Sequence, residues 1–473
     1  MTTVIIILAI YMLIMLGIGI YAGRKNEGVE DFLLAGRRLG VVLLAFTLAA
    51  TQFGGACVIG VSAEAYSAGF SALWTTIGAG LGLFGILLVF RKMKGMTLYT
   101  LTEIMELRYS SPGLRLYGSL LSFIALVGIL STQVNAAGSL FSALGIGDEA
   151  LAALLASAIF IAYTYFGGLW AVTITDFIQL ILAGGGCVVA MIYVLNRIGG
   201  WDVVVANLAT QQLPENYLSL SSSPSYIFFL FLPTFLYCLI GQDFFQRLFA
   251  AKDHKTAVKG TVLAGLLMLI FGIAPAVLAI CGRSLYTGLE NPRILIPKMV
   301  LEYMPPVLGG IVISAILAAI MSTADSLLTA SSSHVINDFY PRLVKNASKD
   351  SEAKKLRITR LSTLVIGVIA VALALLFPSI LNMLMSCYNI FISGVFAPVV
   401  LGLLWKKANR KGAWAGAICG GITAVAGLFG FTVFGLAGDV LSAAVSVIVM
   451  IIVSLITYNP EEVAKENQLK IEG

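Results

Sequence analysis

Charge is what this chain has least of. Only 11% of its 473 residues are Asp, Glu, Lys or Arg, where water-soluble chains carry about 25%. Together with 59% hydrophobic residues and a mean hydropathy of +0.95, this reads as a polytopic membrane protein with no separate soluble domain. Histidine is scarcer still. The two imidazoles, His254 in a polar loop and His334 near a helix end, cannot assemble a zinc or haem site and are read as solvated or interfacial. Six cysteines, Cys57, Cys187, Cys238, Cys281, Cys387 and Cys419, sit singly in apolar runs without a CxxC pair, which excludes a disulfide framework and leaves small buried hydrophobes. No nucleophile with its base, phosphate loop or metal-ligand set can be found, so the chain is not expected to be an enzyme. Its net charge of +6 is a topology signal rather than a nucleic-acid footprint.

What the chain has in abundance is apolar segments of bilayer length. They run Thr2 to Gly23, Val41 to Tyr66, Ser71 to Phe90, Arg115 to Leu144, Glu149 to Phe166, Leu169 to Leu195, Tyr226 to Phe249, Thr261 to Gly282, Val307 to Ser333, Leu361 to Phe377, Ile380 to Trp405, Ala413 to Phe431 and Ala437 to Tyr458. That makes about thirteen spans of an all-α membrane protein. The first lacks a small-residue cleavage site and is followed by Arg24 and Lys25, so it is expected to be a retained helix rather than a signal peptide. Alternate connecting segments collect 26 of the 30 Lys and Arg, leaving only Arg197, Arg283, Arg293 and Lys298 on the other side. The basic side is cytoplasmic, which places the N-terminus outside and the tail inside the cell's inner or plasma membrane. Basic runs such as Lys406 to Lys411 then need no role beyond setting topology.

Two segments are poor as plain spans. The second carries Thr47, Thr51, Gln52, Gly54, Gly55 and Gly60, and the seventh carries Pro233, Thr234, Gly241, Gln242 and Asp243. Helix breakers in lipid are tolerated where the freed backbone lines a cavity, so both are candidate broken helices. One opens spans two to six and the other spans seven to eleven. Five spans per unit is an odd number, which turns the second unit upside down: a five-plus-five inverted repeat with its site at the midplane.

The ninth span changes character along its length. From Ser322 onward hydroxyls and a carboxylate recur, and Ala319, Ser322, Thr323 and Ser326 share one helical face. Such a face either offers oxygen ligands to a hard cation or uses its hydroxyls as helix glue, bonding carbonyls one turn back. Asp325 must face a cavity, an ion or a partner, because an isolated carboxylate at that depth costs about 2.5–3.5 kcal/mol even on the gentlest scale.

Four blocks in order carry a resemblance: EDFLLAGRRLG (Glu30 to Gly40), YTYFGGLWAVTITDFIQ (Tyr163 to Gln179), GQDFFQRLFAAKD (Gly241 to Asp253) and GVFAPVVLGLLWKKANRKGAWAG (Gly394 to Gly416). Over nearly its whole length the chain resembles the sodium/solute symporter family of sodium-coupled proline, pantothenate, sugar and sialic acid carriers. The second block is the most specific, with Gly167, Gly168, Leu169, Ala171, Val172, Thr175, Asp176 and Gln179 in place. The resemblance implies a leucine-transporter-like fold: residues 1–23 an extra helix, 41–198 and 225–405 the two repeats, 412–458 two further helices and 459–473 a cytoplasmic tail. It also implies that sodium is the coupled ion and that a small-molecule substrate is carried by alternating access, with no obligate protein partner.

Carried over residue by residue, the family's main sodium site falls on the carbonyls of Ala45, Leu48 and Ala319 and the hydroxyls of Ser322 and Thr323. A possible second sodium site falls on Asp176, Asp325 and Ser326 with Ser322, although Asp325 stands where such members commonly have a small hydroxyl residue. Asp176 also suits a helix N-terminus. Substrate contacts are expected from Gln52 and Phe53 at the first break, Thr234 and Tyr237 at the second, and Ser386, Tyr388 and Asn389 on the eleventh span. Met385 replaces a glutamine of sugar carriers there, which points to a small organic acid or amino acid. No intramembrane Arg or Lys stands out as a carboxylate clamp, leaving that work to half-helix N-termini. Proton coupling through Asp176 or Asp325, and a ligand-sensing receptor on the same fold, are the alternatives.

Overall fold

The computed structural model describes residues 1–24, 27–377, 379–433 and 436–468. Lys25 and the last five residues of the expected tail lie outside them. Lipid offers the backbone no hydrogen-bond partner, so each crossing closes its own ladder as a helix. The places of the thirteen expected spans are taken, among the described residues, by Thr2–Gly23, the pair Val41–Gln52 and Val61–Ala68, Leu73–Phe90, Pro112–Ala143, 149–167, 169–198, the pair Pro224–Cys238 and Gln242–Phe249, His254–Phe271 continued by Ile273–Leu285, Pro306–His334, Glu352–Leu376, Ile380–Leu404, Arg410–Leu428 and Gly438–Ile456, and nine helices there are long and apolar enough to cross a membrane. The eighth and tenth begin well before their apolar cores at Thr261 and Leu361, because hydropathy marks the hydrocarbon layer and not the helix end. Asp253 starts the eighth, its carboxylate accepting the Thr256 N–H at 2.8 Å, and that bond holds the carboxyl below its usual range.

The fifth and sixth spans are two helices that meet directly at Gly168, whose backbone is not helical (φ 61°, ψ −169°). A side chain there would meet Phe32 Cδ2 at 2.7 Å and the Phe32 carbonyl at 2.8 Å, so the signature glycine is required by both backbone and space. Phe53 (φ −82°, ψ 59°) leaves the helix at the first break. A Cβ on Gly54 would sit 2.0 Å from Thr323 Oγ1, and the missing side chain is what lets the break touch the ninth span. The second break differs from expectation. Pro233 stays inside Pro224–Cys238, and the interruption comes at Leu239 to Gly241 (Gly241 ψ 124°). A helical proline costs one hydrogen bond and a kink, whereas extended Gly241 ends the helix outright.

The inverted repeat is visible in the packing. The second span lies on the eighth and the third on the seventh, two pairs that exchange when each span is mapped five positions along. The ninth lies on the fifth and sixth, and the fourth correspondingly on the tenth and eleventh. The ninth span is therefore central and fully enclosed; every residue from Val312 to His334 is buried.

Candidate functional site

The first half of the second span ends with carbonyls that have no partner further along the helix. Those of Ala50 and Thr51 are met by the ninth span. Ser322 Oγ lies 3.1 Å from the Ala50 carbonyl and 2.9 Å from that of Ala319; Thr323 Oγ1 donates to the Thr51 carbonyl at 2.9 Å and lies 3.4 Å from that of Ala50 and 3.5 Å from that of Ala319. Five neutral oxygens thus meet in one dry place, a shell in which dipoles replace a cation's hydration. Ala45 and Leu48 lie earlier in the same half-helix, buried and within its regular bonding; the carbonyls that reach the hydroxyls are Ala50 and Thr51. Lower hydroxyls of the ninth span do bond one turn back, Thr329 to Asp325 and Ser331 to Leu327.

The residues expected to hold a second ion are divided. Asp176, well inside the 169–198 helix and fully buried, accepts from Thr47 Oγ1 at 2.5 Å and lies 3.6 Å from the guanidinium of Arg247. Arg247 also donates from Nε to Thr47 Oγ1 (2.9 Å), from Nη1 to the Asp243 carbonyl (2.8 Å) and from Nη2 to Ser326 Oγ. Thr51 Oγ1 closes the cluster 3.0 Å from Ser326 Oγ. A tethered cation therefore joins Asp176 to Ser326. Asp325 points away from them, its Oδ1 2.7 Å from Thr164 Oγ1 on the fifth span.

Reading Arg247 as a loop cation was wrong. It has no solvent exposure, because it lies on the half-helix after the second break, one turn beyond Asp243 and among Phe244, Phe245, Leu248 and Phe249. Arg108 is likewise buried, bonding the carbonyls of Gly402 (2.9 Å) and Ala408 (2.7 Å). Without these two the basic side keeps 24 Lys and Arg against 4, so the asymmetry survives. His334 is not solvated either: its ring bridges Asp338 and Ser122, both at 2.7 Å, in full burial.

Between the two breaks lies a small cavity of about 30 Å³. Gln52, Thr234, Tyr237 and Tyr388, from which substrate contacts are expected, line it together with Thr51, Thr75, Gln133 and Asp243. Phe53, Ser386 and Asn389 are not on its wall; Phe53 turns to Phe271 instead, ring centroids 6.5 Å apart. Gln133 Oε1 accepts the Gly55 N–H at 2.8 Å, satisfying one amide freed by the break. Tyr237 stacks on Tyr388 at 4.1 Å and donates to Asp243 Oδ1 at 2.9 Å. Thr75 Oγ1 is buried without a hydrogen-bond partner. Single polar residues inside apolar helices, such as Thr75 and Gln133, were the available signal.

The sodium:solute symporter family model matches residues 32–420. The chain belongs to that family. It is 30% identical to a sodium/proline symporter of Staphylococcus aureus, over 96% of this chain and 93% of the relative. In fold it is similar to a substrate-bound Na+-coupled sialic acid symporter (TM-score 0.80, 21% identity, 96% of this chain and 97% of that one). A nucleobase-cation-symport-1 family transporter in a closed conformation is more distant (TM-score 0.60, 14% identity, 94% and 99%). This sodium:solute symporter is thus a multi-pass membrane transporter and not an enzyme, and it couples sodium to the symport of a small solute.

A separate pocket of about 630 Å³ is lined by Gly60, Glu64, Glu290, Arg293, Ser379 and Asn382. Bonds between separate elements seal another part of the bundle. Leu39 N–H donates to the Ala250 carbonyl (3.0 Å) and Lys252 N–H to that of Leu39 (3.1 Å), while Arg37 reaches the carbonyls of Phe249 and Leu98, both at 3.1 Å. Arg115 adds a 2.6 Å ion pair with Asp338. All of these seals lie on the lysine- and arginine-rich side.

Proposed function

We propose that this sodium:solute symporter takes up a small zwitterionic amino acid with one sodium ion, in the inner or plasma membrane with its N-terminus outside and its tail in the cytoplasm. The chain works alone in the bilayer, with no nucleic acid and no obligate protein partner. The observation that carries the substrate class is the cavity wall, on which Asp243 is the only charged side chain among the described residues. A free organic anion would face a carboxylate there without a base, whereas an ammonium complements Asp243 and the substrate carboxylate is left to backbone amides at the Gly54–Gly55 break. Proline, carried by the Staphylococcus aureus relative, is of this class. About two waters would fill the cavity, at about 15 Å³ each, so the Tyr237–Tyr388 pair parts to admit the solute.

Ser322 and Thr323, with the carbonyls of Ala50, Thr51 and Ala319, hold the sodium ion. Asp176 and Ser326 need no second ion, since Arg247 supplies the positive charge. The test is uptake into proteoliposomes under an imposed sodium gradient, with amino acids and monocarboxylates compared at equal concentration. Saturable amino-acid uptake with a sodium Hill slope of one is expected. Equal uptake of monocarboxylates lacking an ammonium group would overturn the substrate reading.

A further inference from the structure

The turn between the eleventh and twelfth spans carries charge that the fold does not answer. Leu404 ends one helix and Arg410 begins the next, and within six residues Lys406, Lys407, Arg410 and Lys411 are all exposed. A fifth cation stands behind them. Arg108 is 2% exposed and donates to the carbonyls of Gly402 and Ala408, while its Nη1 is buried without a partner. Among the described residues no carboxylate forms an ion pair with any of the five. Glu466 takes only the backbone N–H of Arg410, at 3.1 Å. Elsewhere exposed lysines do find acids: Lys354 pairs with Asp350 at 2.8 Å and Lys355 with Glu352 at 3.0 Å. The topology rule accounts for cations on this side, but not for their being held together unpaired.

They are held together because the turn is pinned. Arg108 grips the Ala408 carbonyl, and Asn409 donates from Nδ2 to the Ser454 carbonyl at 3.1 Å and caps the twelfth span by accepting the Gly412 N–H at 2.9 Å. Like charges on a fixed backbone repel one another, and an anion brought to them relieves that repulsion. Their depth is marked by aromatic residues. Trp405 directly precedes them, Trp414 lies in the first turn of the twelfth span, and the Lys407 ammonium stands 5.7 Å from the ring centroid of Tyr458. Tryptophan and tyrosine gather at the membrane–water boundary. Beside them Leu404, Leu455 and Ile456 expose large apolar side chains, a surface that belongs in hydrocarbon. The cations therefore stand at headgroup level on a lipid-facing corner.

We propose that Lys406, Lys407, Arg410 and Lys411 form a binding surface for the headgroups of anionic phospholipids, with Arg108 adding its charge from behind. Charge complementarity selects the occupant. Phosphodiester oxygens accept charge-assisted hydrogen bonds from ammonium and guanidinium groups, and the acyl chains of the same lipid cover Leu404, Leu455 and Ile456. A zwitterionic headgroup brings its own cation and gains little. Each basic residue beside an anionic membrane surface is worth roughly a fivefold gain in association. The leaflet is the cytoplasmic one in the orientation proposed above; the surface itself rests on no part of the transport reading.

Native mass spectra of the full chain, titrated in detergent with dioleoylphosphatidylglycerol or dioleoylphosphatidylcholine at equal concentration, test this. The wild type should retain phosphatidylglycerol at least about fivefold better. The preference should vanish when Lys406→Gln, Lys407→Gln, Arg410→Gln and Lys411→Gln are combined, and survive Lys354→Gln with Lys355→Gln, which removes cations already paired. Equal retention of the two lipids by the wild type, or an undiminished preference in the fourfold variant, would overturn the proposal. So would its loss on adding inorganic phosphate at the lipid's own concentration, which would make the ligand free phosphate. Should the fourfold variant fail to fold, Lys406→Gln with Lys407→Gln should lower the preference by itself, and no change there would count against the surface equally. Protection of the tail from protease added outside sealed cells tests the orientation separately.

Discussion

Replacing Arg247 by Gln removes the only cation that, among the described residues, pairs with Asp176. The guanidinium makes side-chain bonds to Thr47 and Ser326 and a backbone bond to Asp243, and stands 3.6 Å from the carboxylate. All of these groups are buried, so water cannot take its place. Stripping one partner from a buried pair costs about 3–5 kcal/mol, mostly as the penalty on the charge left behind. Asp176→Asn removes that charge, so the double variant should recover about 2–3 kcal/mol relative to the sum of the two single losses. Thermal unfolding of the four proteins in detergent reads this cycle. The vacated place also exposes Asp176, Thr47 and Ser326 as a set of oxygens around an uncompensated charge. In Arg247→Gln the sodium Hill slope for uptake should therefore rise from one toward two. Additive melting shifts in the cycle, with an unchanged sodium slope, would refute the reasoning that Arg247 takes the place of an ion.

Two further outcomes follow from the sodium cage and the cavity. Ser322→Ala with Thr323→Ala removes two of five oxygens and should weaken apparent sodium affinity tenfold or more, about 1.4 kcal/mol, with protein level maintained; an unchanged sodium curve in proteoliposomes would make the hydroxyls helix glue. Gln52→Ala and Tyr237→Ala should each raise the half-saturation constant for substrate at saturating sodium, while Tyr193→Ala, in an unbroken span, should not. Unaltered affinity in both cavity variants would place the solute elsewhere.

The repeat and its two breaks were legible because lipid penalises unsatisfied backbone so heavily that Gly and Pro inside a span carry positional meaning. Apolar length alone gives about thirteen spans in the sequence, whereas nine helices of the described residues are long and apolar enough to cross a membrane, and Arg410–Leu428, which opens on Arg410 and Lys411, is not among them. Depth was less legible. Pro233 suggested a break that the chain makes at Leu239 to Gly241, because proline marks a lost hydrogen bond and says nothing about whether the next turn resumes. His334 looked interfacial from its place near a helix end, yet its hydrogen bonds to Asp338 and Ser122 come from a fold in which that helix is covered on every side.

Arg247 shows most clearly why the rest was hidden. Counted with the connecting segment that follows, although it lies in the last turn of the seventh apolar run, it is one of many cytoplasmic cations. The half-helix it occupies is short, and its register against the sixth span is set by the second break, which is a tertiary feature. The sequence did hold a local signal: Asp243, Gln246 and Arg247 recur at helical spacing between pairs of phenylalanines and leucine. A polar stripe one turn long, flanked by large apolar residues on both sides, is unsuited to a solvated loop and suits a buried face that needs opposite charge. The opposite charge was already singled out as Asp176, in the most specific of the four blocks. Joining the two needs the contact of the second and seventh spans at the centre of the repeat, where Thr47 bonds both of them. The same centre explains the division of labour between two of the buried acids: Asp243 lines the cavity, and Asp176 is neutralised by Arg247.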